Sequence, residues 1–173
     1  MTEEGATAPQ YPGVSELIHW RLPRVSFTAS ETTNQIDLNV PVSGLLALAR
    51  GLRDDDRLEF DYLGNIVGLD MLEEGLTAKY HFYSFRHGHS VQVTVDTPPG
   101  EPHLPSLTGL YPSANWHERE AAEMLGLVFD GHPDPRNLLL EEDLRIHPLL
   151  KAHPLQKVEI LQGIEDGPPG VDV

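Results

Sequence analysis

The clearest helical pattern in the chain lies between residues 43 and 54. Its apolar positions are Leu45, Leu46, Leu48, Ala49 and Leu52. This spacing places the apolar side chains on one stripe of an amphipathic helix. We expect Ser43 to cap the helix and the acidic run 54–56 to end it.

A β-hairpin is the strongest strand prediction. Residues 78–85 are rich in aromatic side chains, and residues 87–89 have the composition of a turn. In residues 90–96, valines alternate with Gln92 and Thr94, which indicates a strand with one buried face.

Shorter strands are expected on both sides of the predicted 43–54 helix. Residues 24–40 are typical of two strands around a polar turn at 30–35, and residues 57–67 predict a further strand. The prolines between residues 98 and 105 favour an extended connection after the hairpin.

A second helix is predicted after Asn115, which would cap it, and is expected to run to Leu125, with Gly126 as its left-handed stop. Glu118 stands at the third helical position, as in a capping box. At about 100° per residue, one face carries Ala121, Met124 and Leu125 and the other carries Trp116, Arg119, Glu120 and Glu123. A short strand at 127–129 and a turn at 130–131 follow.

Both ends of the chain have the composition of irregular segments. The N-terminal residues mix Gly, Pro and acids without periodicity, so residues 1–20 are expected to form a loose arm. The C-terminal residues are interrupted by prolines, so residues 141–173 are expected to form an extended tail.

The charge balance narrows the classes of function. With 12 basic and 27 acidic residues, the net charge of the 173-residue chain is −15 and its pI is about 4.8. This balance argues against binding to nucleic acid or to an anionic membrane surface. The chain has no cysteine, which excludes disulfides, thiolate nucleophiles and iron–sulfur clusters held by this chain. No apolar run approaches the roughly 18 residues of a membrane span, and we expect a soluble, non-exported protein.

Charge is unevenly distributed along the chain. Between residues 76 and 117 only Lys79, Arg86, Asp96 and Glu101 are charged. A central sheet with its connections would explain this depletion. Alternatively, a partner covers part of this surface, because charged residues are depleted at interface cores.

Candidate catalytic motifs are incomplete. His117-Glu118 begins like a zinc-binding HExxH helix, but Ala121 stands where the second histidine is needed. Glu120 and Glu123 are better interpreted as a solvated or partner-paired acidic stripe than as ligands of a metal pair. No phosphate-binding glycine loop and no GxSxG nucleophile motif occurs.

Four histidines offer the one remaining route to metal chemistry: His81, His87, His89 and His103. A stand-alone metal-dependent enzyme built on them is the third and least favoured hypothesis, because turn histidines are usually only exposed.

Residues 115–140 have better groups for docking than for catalysis. Arg119, His132 and Arg136 can form charge-assisted hydrogen bonds to a neighbouring subunit. The alternative is that Arg119 pairs within its own helix with Glu123, at the i,i+4 spacing.

This block resembles the signature of the C subunit of NADH:quinone oxidoreductase, the respiratory complex I family shared with membrane-bound energy-converting nickel–iron hydrogenases. The polar signature positions are met by Glu118, Arg119, Glu120, Glu123, His132 and Arg136, which we call the signature residues. The resemblance covers roughly residues 24–155. It departs from the family's closing segment at Leu150 and Ala152, where relatives carry Arg and Asp.

The resemblance implies an α+β fold. It would be a single compact domain at 21–140 with a small mixed β-sheet and helices packed on one side, and a proline-rich tail at 141–173 that wraps a partner. It also implies that the signature residues lie at a subunit interface and that this chain has no catalytic, cofactor-binding or metal-binding residue.

The implied function is that of a non-catalytic structural subunit of a proton-translocating NADH:quinone oxidoreductase. Its partners would be the large quinone-site subunit and iron–sulfur subunits, which hold the clusters and the quinone. The complex would hold the chain peripherally on the cytoplasmic side of the cell membrane. The alternative from the same family is the corresponding subunit of an energy-converting hydrogenase or a related complex with a donor other than NADH, which the altered closing segment favours.

Overall fold

Seven strands and three α-helices form the part of the chain that the computed structural model describes, residues 13–32, 35–141, 144 and 146–152. The helices are α1 (Val14–Arg21), α2 (Val42–Asp54) and α3 (Ala114–Leu125). The strands are β1 (Thr28–Thr32), β2 (Gln35–Asn39), β3 (Tyr62–Asp70), β4 (Leu76–Ser84), β5 (His89–Thr97), β6 (His103–Pro105) and β7 (Val128–Asp130). Within these ranges, every helix is too short or too polar to span a bilayer.

Five strands form one mixed sheet in the order β1-β2-β5-β4-β3. The β4–β5 hairpin is antiparallel, with Tyr80 opposite Val93, while β2 runs parallel to β5, with Leu38 opposite Val93. Strands β6 and β7 form a separate parallel pair. The predicted α+β class, the mixed sheet and the hairpin are confirmed.

The core lies between one face of the sheet and the helices. The apolar stripe of α2 is buried at Leu45, Leu48 and Leu52, and α3 contributes Ala121 and Leu125. On β3, Gly68 allows this close approach, because a Cβ there would overlap the Leu125 side chain. The helices therefore pack on one side of the sheet, as expected.

The prediction of a loose arm is wrong for residues 14–20. They belong to α1, which buries Ile18 completely in the core and stacks the His19 ring on Phe27 at 4.0 Å. Residues 1–12 lie outside the described part of the chain.

Three local predictions are corrected. Ser43 lies inside α2, which begins after Pro41 without a side-chain cap. The strand predicted at 57–67 begins only at Tyr62. Strand β5 is buried on both faces, since Gln92 and Thr94 are buried as well as the valines. Asp37 of the neighbouring β2 accepts hydrogen bonds from Gln92 and Thr94 at 2.8 and 2.7 Å.

The low charge of residues 76–117 agrees with the first of its two explanations. The segment contains β4 and β5, which lie inside the sheet order between β2 and β3. A charged side chain facing the core there would lose its hydration without a partner.

Candidate functional site

Helix α3 is the element that carries four of the six signature residues. The predicted capping box is wrong, because α3 begins at Ala114 and Asn115 therefore lies inside it. Ser113 precedes the helix instead, and its hydroxyl donates to the Leu63 carbonyl of β3 at 2.8 Å. Glu118 turns inward instead of back to the helix start. The predicted end is confirmed, since Gly126 adopts a left-handed conformation with φ of 80° and donates to the Ala122 carbonyl.

The Glu118 carboxylate is completely buried below α3. It accepts the Leu107 N–H at 2.6 Å and the Ser106 hydroxyl at 2.7 Å, both just after β6. Burial raises the pKa of Glu118 to about 7, and these two hydrogen bonds oppose the rise without cancelling it. Glu118 therefore fastens α3 to the connection between β6 and α3.

His132 attaches the loop after β7 to the first turn of α3. Its Nδ1 accepts the Asp134 N–H at 3.0 Å, so the proton of a neutral ring lies on Nε2, which is 3.1 Å from the Asn115 carbonyl. The same Nε2 lies 3.9 Å from a Glu118 oxygen. The imidazole is thus enclosed between a helix end, its own loop and a buried carboxylate.

Glu123 is buried, so the prediction that it belongs to a solvated acidic stripe is wrong. Its carboxylate accepts three consecutive backbone N–H groups, those of Leu138, Leu139 and Leu140, at 2.8, 3.0 and 3.2 Å. Hydrogen bonds to an ionised acceptor are stronger than neutral ones and offset much of the cost of burial. Glu123 therefore holds residues 138–140 against the helix.

Arg119 binds the same loop from a neighbouring position on α3. Its Nε and one terminal nitrogen donate to the carbonyls of Arg136 and Asn137, both at 2.7 Å. The other terminal nitrogen lies 3.7 Å from Asp134. Arg119 thus pairs within the chain, but with loop carbonyls and not with Glu123 as one alternative proposed.

Arg136 stabilises the loop itself. Its guanidinium holds both oxygens of Asp134, at 2.7 and 2.8 Å. The pKa of Asp134 is lowered well below its usual range, chiefly by the hydrogen bond from Arg136 and less by the charge of Arg119. We call α3 and residues 132–140, held together by these five signature residues, the α3 clasp.

The described part of the predicted tail continues the α3 clasp. The His147 Nδ1–H donates to the Glu123 carbonyl (2.9 Å), and the Leu149 N–H donates to the Met124 carbonyl (3.0 Å). The Lys151 N–H donates to Asp70 at the end of β3 at 2.8 Å. The contacts of His147 and Leu149 satisfy carbonyls that the end of α3 leaves free. Residues 146–152 therefore lie against their own fold. Residues 153–173 are outside the described part, and the expectation that the tail wraps a partner stays a prediction.

A cleft of about 350 Å³ lies between α3 and residues of the segment 126–137 together with Leu144, Ile146 and His147. Its charged lining side chains, Glu118, Arg119 and Glu123, already bond to groups of the chain itself. The remaining wall is largely apolar. The arrangement is suited to holding the loop in place, and it leaves these charged groups little capacity for a substrate.

Glu120 is the signature residue that the α3 clasp does not use. No described residue forms a hydrogen bond or ion pair with its carboxylate. Trp116, one turn earlier, is 68% exposed. This side of α3 faces away from the loop.

The histidines considered for a metal site do not converge on a common point. His87 and His89 stack at 5.8 Å, and His87 also lies 3.6 Å from Glu59. His103 contacts Asp130 at 3.1 Å. Among the described residues, no three His, Asp or Glu side chains are grouped as metal ligands would be.

Sequence reasoning missed the uncharged residues around the α3 clasp. Tyr111 is buried and its hydroxyl donates toward the carbonyls of Phe60 and Ala49, at 2.8 and 3.2 Å. The buried Tyr80 hydroxyl has no partner among the described residues. A lone tyrosine or serine carries no spacing pattern, so the sequence held no signal for either tyrosine or for Ser106.

Comparison with known proteins agrees with the resemblance seen in the signature. The family model of the respiratory-chain NADH dehydrogenase 30 kDa subunit matches residues 38–159. The C subunits of NADH-quinone oxidoreductase from Roseiflexus sp. (strain RS-1) and Roseiflexus castenholzii are each 37% identical, over 140 and 142 residues. The first match covers 80% of each chain, and the second covers 81% of this chain and 82% of the relative.

Two solved structures share the fold. The trypsin-resistant fragment (1-134) of Nqo5 matches with a TM-score of 0.59 and 25% identity, over 70% of this chain and 98% of the fragment. A chain of the membrane-bound sulfane sulfur reductase, an archaeal respiratory membrane complex, matches with a TM-score of 0.72 over 92% of this chain and 97% of its own. At 18% identity, this second likeness shows the fold alone. The protein therefore belongs to the family of the respiratory-chain NADH dehydrogenase 30 kDa subunit.

Proposed function

We propose that this chain is a non-catalytic structural subunit of the peripheral arm of a complex I-type NADH:quinone oxidoreductase. In this proposal it positions the quinone-site subunit and the iron–sulfur subunits for electron transfer. The observation that carries the proposal is the use of the signature residues. Glu118, Arg119 and Glu123 hold a loop and a helix of their own chain.

The burial of these groups supports a structural role. A group that exchanges protons or electrons with a substrate must reach it, and Glu118 and Glu123 are enclosed by backbone N–H groups. The α3 clasp forms a rigid surface, because the loop after β7 is bonded both to the first turn of α3, through His132, and to its last turns, through Glu123. Rigid elements lower the entropy lost when subunits associate.

The proposal assigns the redox groups to other subunits. This chain would bind no cofactor, and the clusters and quinone would lie in its partners. The absence of cysteine from the sequence supports this assignment, since thiolates are the usual cluster ligands. The complex would hold the chain on the cytoplasmic side of the membrane.

A hydrogenase-type complex with a different electron donor is the alternative. Leu150 and Ala152 replace the charged pair expected in the closing segment. The fold is also shared with a chain of the sulfane sulfur reductase complex, so it does not discriminate between the two.

The first experiment is purification of the native complex from membranes through a tagged copy of this chain. Iron and flavin without nickel in the purified complex would support the NADH-oxidising enzyme. Stoichiometric nickel would favour the hydrogenase alternative. Recovery of the chain without any other subunit would refute both.

A substitution tests the structural role directly. Arg119→Ala removes two charge-assisted hydrogen bonds, each with a net value of about 1.5–3 kcal/mol, and we expect several-fold less assembled complex. Turnover per assembled complex should stay near the wild-type value. Arg50→Ala, at an exposed position of α2, is the matched control. Normal assembly with altered turnover in Arg119→Ala would contradict the proposal.

A further inference from the structure

The two edges of the five-stranded sheet differ in character. Strand β1 forms one edge, is five residues long and has the sequence TASET. Strand β3 forms the other, is nine residues long and has the sequence YLGNIVGLD. Within the described ranges, β3 has a neighbouring strand on one side only. Proteins usually protect such an edge with lysine, proline or a short strand, and β3 has none of these, although a bulge lies at residues 63–65.

Apolar side chains are exposed along β3 on the sheet face that the helices leave open. Val67 and Leu69 point away from α3, because Gly68 between them faces Leu125. The central strands show a different surface on the same face. There Asp37, Gln92 and Thr94 form a hydrogen-bonded polar network. The centre of the open face is therefore polar, whereas Val67 and Leu69 expose apolar surface at its β3 edge.

A cleft of about 140 Å³ lies on the other side of the same edge, between β3 and α3. Its walls include Gly68, Met124 and Leu149, and Glu120 stands at its margin. Side chains of an added strand alternate between the two faces of a sheet. One set would lie on Val67 and Leu69, and the other would enter this cleft.

Charge favours a basic occupant. Glu120 is the signature residue without a partner among the described residues. Strand β3 contains no basic residue, and Lys79 of the adjacent strand lies 3.7 Å from Asp37, where its charge is compensated. A second copy of the chain would bring another net charge of −15 to the same place, and like charges repel.

We propose that the outer edge of β3 binds an extended, Lys- or Arg-bearing segment of another subunit, which adds to the sheet as a further strand. Backbone hydrogen bonds along β3 supply the pairing, and a basic side chain in the cleft reaches Glu120. This inference rests on the proposed function, because it requires that the chain works within a complex.

Photo-crosslinking in the native complex tests the edge. A photoreactive phenylalanine analogue replaces Leu69 in β3 in one tagged chain and Ser30, an exposed position of β1, in the control. We expect position 69 to crosslink to a Lys- or Arg-bearing segment of another subunit and position 30 to give no such product. A crosslink from position 69 to this chain's own residues or to a second copy would overturn the proposal.

Charge variants test the role of Glu120. Glu120→Lys should lower the yield of the position-69 crosslink about fivefold or more, and Glu120→Gln should lower it less. Glu16→Lys makes the same change at an exposed site on α1 and should leave the yield unchanged. Equal yields in all three variants would overturn the assignment of Glu120. An assembled complex without the crosslink refutes this inference alone, whereas a chain recovered free of other subunits refutes the proposed function as well.

Discussion

The burial of Glu118 predicts an unusual dependence of stability on pH. Its pKa is about 7 in the folded chain and close to 4.3 in an unfolded chain. Between these values the folded state holds a proton that the unfolded state has released. Stability is therefore highest below the unfolded pKa and is lost as the pH rises through the folded pKa.

The magnitude follows from the two pKa values. A difference of one pKa unit corresponds to about 1.36 kcal/mol. The contribution of Glu118 to the free energy of unfolding should fall by about 2 kcal/mol between about pH 5.5 and pH 8. Both pH values lie above the pI of about 4.8, the pH at which the solubility of the protein is lowest.

Glu118→Gln removes the titration while keeping an acceptor for the Leu107 N–H. Denaturant unfolding of the full chain would be measured at both pH values for wild type, Glu118→Gln and Glu120→Gln. The difference between wild type and Glu118→Gln cancels the other titrating groups. We expect it to change by about 2 kcal/mol, whereas Glu120→Gln, on the exposed side of the same helix, should follow the wild type.

Two results would refute this reasoning. If the free energies of unfolding of wild type and Glu118→Gln changed equally with pH, the Glu118 pKa would be the same in the folded and unfolded states. A wild type that gains stability relative to Glu118→Gln as the pH rises would show that hydrogen bonds to the carboxylate outweigh its desolvation, giving a lowered pKa.

Two further pairs of variants can be compared by denaturant unfolding of the full chain. Tyr111→Phe removes a buried hydroxyl bonded to backbone carbonyls and should lower the free energy of unfolding by about 1–2 kcal/mol. Tyr80→Phe removes a hydroxyl without a partner among the described residues and should leave the free energy of unfolding unchanged or raise it. A larger loss for Tyr80→Phe would show that its hydroxyl has a partner. Gly75→Ala should cost about 2 kcal/mol or more, because Gly75 has a φ of 101° and an added Cβ would overlap the Thr97 carbonyl. Gly88→Ala, with a φ of 66° and open space around it, should cost about half as much, and equal costs would refute the steric part of the argument.

The elements that were predicted correctly have strong local patterns. The stripe of α2, the β4–β5 hairpin and the stop at Gly126 each depend on neighbours a few residues away. Helix α1 was missed because it is eight residues long and only Ile18 and Ser15 are buried. Its burial depends on contacts with distant residues, which no local pattern records.

The candidate site was predicted only in part from the sequence, for a similar reason. Its charged residues were identified by their spacing, and the family resemblance that rested on them is confirmed. The surroundings of these residues were not identified, since Glu118 was expected in a capping box and Glu123 on a solvated face. The groups that bind both carboxylates are backbone N–H groups, which every residue except proline has and no sequence pattern marks.

Local elements and the identity of the signature residues could be inferred from the chain as written, because side-chain periodicity and residue type are properties of the sequence itself. Tertiary packing settled which of those residues are used inside the fold and which are left for a partner. That division depends on where distant backbone segments come to lie. Residues 106–107 and 138–140 enclose Glu118 and Glu123, while no described residue pairs with Glu120. Burial and hydrogen bonding are set by these non-local neighbours, so three carboxylates on one helix acquire different roles.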